Sequence, residues 1–128
     1  LMTADMLESL KAGLPTVTFI PVSGRIESDL RAIKDELEIA ETREAIRLAE
    51  RAFDLLRASL TPEMTEREAA WELERAIRMF GGEGLSFPAI VAVGDRAALP
   101  HYRPQSIRIG SSPLLLVDWG AQTHAGYK

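Results

Sequence analysis

The sequence contains no cysteine. Disulfides, cysteine-held iron–sulfur centres, structural cysteine zinc sites and thiol catalysis are therefore excluded within it. Histidine is nearly absent. His101 and His124 are the only two, so this chain cannot assemble a multi-histidine metal site. No run approaches the roughly 18 apolar residues that suggest a membrane span, and the strongly apolar stretches, such as residues 114–117, are short. No secretory pattern opens the chain, which makes the cytoplasm the expected compartment. Positive charge is not in excess either. Lys and Arg total 15 against 19 for Asp and Glu, a net charge of −4, so no strongly basic nucleic-acid surface is expected.

What is present is 128 residues, 46% of them hydrophobic. That supplies one core or part of one, and is too short for two ordinary domains. The first residue is Leu rather than Met, and the chain is expected to be a trimmed piece of something longer.

Residues 1–13 read as a short helix closed by Gly13, with Pro15 barring its continuation. Residues 16–20 are β-branched and aromatic, which predicts a short strand ended by residues 21–24. The clearest helix covers residues 36–59, about 36 Å long. Asp35 followed by Glu38 fits a capping box. Ile39, Thr42, Ile46, Ala49, Phe53, Leu56 and Leu60 recur at spacings of three and four and predict its buried stripe. Glu44 with Arg47, Arg47 with Glu50, and Asp54 with Arg57 stand three apart, where ion pairs tune a helix without creating it. A coiled-coil dimer is the competing reading of this stripe.

Thr65 followed by Glu68 makes a second capping box. Ala70, Leu73, Ile77 and Phe80 give the stripe of a helix over residues 66–80, stopped by Gly81 and Gly82. The short connection predicts a hairpin of helices. The period then changes. Residues 87–93 and 113–119 read as strands, with an irregular segment over residues 97–104 between them and a turn over residues 120–126. The order predicts an α+β layer of two long helices on an incomplete antiparallel sheet whose edge needs a cover, from absent residues or another chain.

Few residues invite chemistry. Asp118 ends an apolar strand, where an unpaired buried carboxylate is costly. A metal, a cation, or turn and cap hydrogen bonds would each stabilise it. Gly120 beside it permits close backbone approach or a tight turn. His101 lies between Pro100 and Tyr102, with Pro104 close behind. Such a stiffened loop suits a positioned proton donor, while a half-exposed loop histidine is the commoner outcome of that spacing. His124 sits in the final turn. Arg103 and Arg108 fit an anionic substrate or plain solvated surface. Trp71 and Phe80 are expected to be packing residues. Residues 81–84 are glycine-rich but follow a helix and lack the Lys-Ser/Thr of a phosphate loop.

Taken in order, Phe87-Pro88-Ala89-Ile90-Val91, Gly94, Ala98-Leu99-Pro100-His101 and Leu115-Leu116-Val117-Asp118-Trp119-Gly120-Ala121 resemble the pita-bread metallopeptidases. These are the aminopeptidase P, prolidase and methionine aminopeptidase group. Arg31-Ala32-Ile33-Lys34 and Glu38-Ile39 resemble the entry to their catalytic domain. The resemblance implies that residues 26–128 are the first half of that domain. Residues 1–25 would be the end of an amino-terminal domain and its connection.

It further implies a hydrolase of Xaa-Pro peptides with two divalent metals (manganese, cobalt, zinc or iron), and it leaves room for a homodimer. Asp118 matches the first of two metal-binding aspartates. His101 matches the histidine that contacts substrate and helps proton transfer without ligating metal. The second aspartate follows a Tyr-x-Ser segment. Gly126-Tyr127-Lys128 resembles the approach to it, and the resemblance implies that the ligand histidine and both glutamates would lie farther on. Residues 122–125 are one longer than the common hairpin. With one ligand of five, this chain alone is expected to have no peptidase activity and no tight dinuclear site. A creatinase-like hydrolase, or a non-catalytic binding module of the same fold, is the alternative.

Overall fold

The computed structural model describes residues 2–20, 24 and 26–128, and it divides the chain into two units, residues 1–34 and 35–128. In the first unit, α1 spans Ala4–Gly13. The Thr3 hydroxyl accepts the Met6 N–H at 3.3 Å, and α1 buries none of its residues. The strand expected over residues 16–20 does not form, and Ile20 is 73% exposed. β-branching favours an extended backbone, but a strand also needs a ladder partner, and the described residues of this unit supply none. The expected break over residues 21–24 lies largely outside the described residues. Ile26–Arg31 forms a wide π-helical turn.

The second unit carries the core. Its helix α2 runs Glu36–Ser59. The Asp35 carboxylate accepts the Glu38 N–H and the Glu38 carboxylate accepts the Asp35 N–H, both at 2.8 Å. Helix α3 runs Glu66–Met79 with the same reciprocal cap from Thr65 and Glu68. The two hydrogen bonds from Thr65 hold the Glu68 carboxyl below its ordinary value, the backbone bond contributing most. Gly81 takes φ +96°, which lets its N–H reach the Arg78 carbonyl and the Gly82 N–H reach the Ile77 carbonyl. This paired closure needs the left-handed residue that glycine adopts without strain.

The helices pack along each other, and the buried line on α2 is Ala45, Leu48, Ala52 and Leu56. The predicted stripe was therefore rotated, since Ile39 and Ile46 are exposed and only Leu56 of that stripe is fully enclosed. The reason is size. Ala45 and Ala52 on α2 and Ala69 and Ala76 on α3 are all buried, and small residues on both helices favour close packing. Packing on α3 also displaces the coiled-coil alternative. The ion pairs Glu44–Arg47 and Asp54–Arg57 form. Trp71 was expected to pack, yet it is 63% exposed, while Phe80 is half-buried beneath the Arg51 guanidinium at 4.1 Å.

Four short strands complete the unit: β1 Gly84–Leu85, β2 Ile90–Val93, β3 Leu115–Asp118 and β4 Ala121–Gln122. Antiparallel ladders join β2 to β3 and β1 to β4. Helix α3 lies against β1 and β2, and α2 against β4. The expected strand over residues 87–93 begins only at Ile90, and the one over 113–119 is trimmed to Leu115–Asp118. The β1–β4 pair was not foreseen. Between the ladders, residues 86–89 lie opposite only Trp119 and Gly120. The longer side must bulge, and Pro88 has no N–H to restore a ladder bond there. The result is α+β, two helices on a small open antiparallel sheet, the arrangement of a partial pita-bread fold.

Candidate active site

The bulge makes one wall of a cleft. Phe87, Pro88 and Ile90 line it together with His101, Tyr102, Arg103 and Asp118. Asp118 reaches the cleft as the last residue of β3, where it pairs with Ile90, and its side chain is exposed. The turn behind it is held from two sides. The Trp119 ring stacks on Phe53 with centroids 4.3 Å apart and planes 20° from parallel, and its indole N–H donates to the Ala49 carbonyl at 2.9 Å. Such aromatic pairing contributes about 0.5–1.5 kcal/mol beyond buried area. Of the two roles open to Gly120, close approach is the one found. A Cβ there would collide with the Ser86 hydroxyl, and the Ser86 backbone N–H donates to the Gly120 carbonyl at 2.9 Å.

His101 arrives on the segment after the 3-10 turn Gly94–Ala98. It is exposed and holds φ +54°, the only positive φ at a non-glycine among the described residues. Left-handed backbone is unfavourable for a residue with a Cβ, and persists where neighbours over-determine it. The next residue, Tyr102, is anchored. Its hydroxyl donates to Glu66 at 2.8 Å, and burial, that bond and the Glu66 charge together push the phenol above its ordinary value, with Arg96 opposing.

Glu66 was missed in the sequence. It is fully buried, yet it opens α3. One of its oxygens accepts the Val93 N–H at 2.8 Å, and the other accepts the Tyr102 hydroxyl at 2.8 Å and the Gln105 N–H at 2.9 Å. Hydrogen bonds to a charged acceptor contribute roughly 1.5–3 kcal/mol each, and they offset the cost of burying the carboxylate. Position 66 lies three and seven residues before the buried Ala69 and Leu73. Helical phase therefore placed it on the core face, a signal the cap pattern hid.

The other candidates divide. Arg103 lines the cleft, and Arg108 does not. His124 is exposed and pairs with Glu83 at 2.7 Å. Among the described residues no three or more of His, Cys, Asp and Glu gather into a metal-binding set. The donors of this chain, with Asp118 as one exposed carboxylate in the cleft, do not by themselves fit a dinuclear centre. No helix of the described residues is long and apolar enough to cross a membrane.

Residues 40–128 match the model of metallopeptidase family M24. Among curated relatives, an uncharacterized peptidase of Staphylococcus aureus is 37% identical over 119 residues, covering 93% of this chain and 34% of its own length. The uncharacterized peptidase YqhT of Bacillus subtilis is 35% identical over 126 residues, covering 98% and 35%. Among solved structures, a Xaa-Pro dipeptidase from Bacillus anthracis superposes with a TM-score of 0.85 at 35% identity, covering 94% of this chain and 34% of that one. The prolidase from Pyrococcus horikoshii gives 0.83 at 30% identity, covering 94% and 35%. The chain thus spans about a third of the length of these relatives. Over that third, sequence and fold agree, and the chain belongs to metallopeptidase family M24.

Proposed function

We propose that residues 26–128 form the first part of a catalytic domain that hydrolyses Xaa-Pro peptides in the cytoplasm. Residues 1–25 are the end of an amino-terminal domain and its connection in this reading. The observation that carries it is one cleft receiving His101 and Asp118 from two separate segments. Phe87, Pro88 and Ile90 give that cleft an apolar wall suited to a pyrrolidine ring, and Arg103 brings the charge a free peptide carboxylate needs. His101 moves a proton at its imidazole nitrogen. Asp118 serves as one carboxylate ligand of a site for two divalent metals (manganese, cobalt, zinc or iron), whose other ligands are not among these residues. A homodimer is compatible with this reading and plays no part in it.

The test compares two proteins. The 128-residue polypeptide with added manganese is expected to release no proline from a Xaa-Pro dipeptide. A chimaera in which residues 35–128 replace the matching segment of the Bacillus anthracis dipeptidase is expected to release it, and to stop when a chelator is added. Hydrolysis by the short polypeptide would overturn the incompleteness. A folded, metal-loaded chimaera without hydrolysis would overturn the assignment.

A further inference from the structure

The segment that carries His101 is fastened at its start, its middle and its end to a single buried group. Val93 precedes the 3-10 turn, Tyr102 adjoins His101, and Gln105 closes the segment. All three donate to Glu66. The backbone repeats the fastening. The Glu66 N–H donates to the Ile107 carbonyl and the Arg67 N–H to the Gln105 carbonyl, at 2.9 and 3.1 Å. Among the described residues the carboxylate is held by two backbone amides and one phenol, with no cation bonded to it. Partial positive charge at the start of α3 favours an anion there. Three donors directed at two oxygens need a carboxylate. An amide would turn an NH₂ group toward at least one donor.

We propose that Glu66 is the positioning residue of the active site. Through Tyr102 and Gln105 it holds His101 in its left-handed conformation at the rim of the cleft. This rests on the reading of His101 as a group that meets substrate. Glu66 does not itself line the cleft and meets it only through Tyr102, one of the lining residues. Its effect passes through the backbone of residues 99–105.

The experiment uses NMR on the 128-residue chain and kinetics on the chimaera, with Glu66→Gln and Tyr102→Phe in each. In the chain, order parameters of residues 99–103 are expected to fall from about 0.85 toward 0.6. His101 couplings should leave the left-handed range while the Ile90–Asp118 cross-strand contacts persist. In the chimaera, Tyr102→Phe is expected to lower kcat about tenfold with KM within about twofold, the split expected when transition-state contacts alone are lost. A purely structural role would lower stability throughout and leave the His101 couplings of folded molecules unchanged. That result, or an unchanged kcat in Tyr102→Phe, overturns the proposal. If Glu66→Gln does not fold, Tyr102→Phe decides alone, since its ring keeps its packing. His101→Ala in the chimaera separates the two failures. An unaltered rate there sinks the catalytic reading of His101. A lost rate combined with unaltered loop order in Glu66→Gln sinks only the positioning role.

Discussion

Asp118→Asn in the chimaera is expected to lower kcat/KM for a Xaa-Pro dipeptide by at least about 100-fold. Changing groups that merely orient a metal ligand commonly costs 10–100-fold, so removing a ligand's charge must cost at least the upper end of that range. A 100-fold loss corresponds to about 2.7 kcal/mol of transition-state stabilisation. His101→Ala is expected to lose about 10²–10⁴-fold, the usual contribution of a positioned proton-transfer group. The two should differ in metal content. Asp118→Asn weakens metal binding, whereas His101→Ala leaves it intact, and metal analysis of the purified variants checks this. Neither variant should disturb the fold. Asp118 and His101 are both exposed, and Asparagine keeps the shape of the aspartate it replaces.

Leu73→Ala is expected to destabilise the unit of residues 35–128 by about 2–5 kcal/mol. Leu73 is among the largest fully buried side chains and sits on α3 between the helix seam and β2. Ala69, Ala76 and Ala52 around the seam are already small, so little can collapse into the space left behind. Ordinary domains carry about 0.05–0.15 kcal/mol of stability per residue, and a unit with open sheet edges stands toward the low end. The substitution is therefore expected to leave much of the chain unfolded in water. Urea unfolding of wild type and variant checks it. A midpoint shift equivalent to less than about 1 kcal/mol would show that the core gives way around Leu73, contrary to this packing.

The starts of both long helices were legible to the residue because they depend on partners three positions away. Asp35 with Glu38, and Thr65 with Glu68, need no tertiary context. Which face of α2 is buried was not legible in the same way. Ile39 and Ile46 outweigh Ala45 and Ala52 in any apolar pattern, yet the close seam with α3 selects the alanines. Two-residue strands such as β1 and β4 have no period to detect, and their pairing spans a separation of nearly forty residues. Residues 16–20 failed in the opposite sense, having the composition of a strand without a partner.

The site divides along the same line. His101 between prolines and Asp118 at a strand end could be singled out locally, and the resemblance gave them roles. That they line one cleft depends on the β2–β3 register and on the bulge at Pro88. Glu66 was hidden because its three donors come from residues 27 to 39 positions away, whereas its sequence neighbours advertise only a helix start.

In the proposed function this cleft is part of a metallopeptidase active site in which Asp118 binds metal and His101 does not. The direct measurement is anomalous diffraction from crystals of the chimaera grown with zinc. The expected result is a zinc peak at about 2.0–2.2 Å from an Asp118 carboxylate oxygen, with the His101 imidazole outside the coordination shell. A fully loaded zinc site that Asp118 does not touch, or one that His101 ligates, would contradict the account.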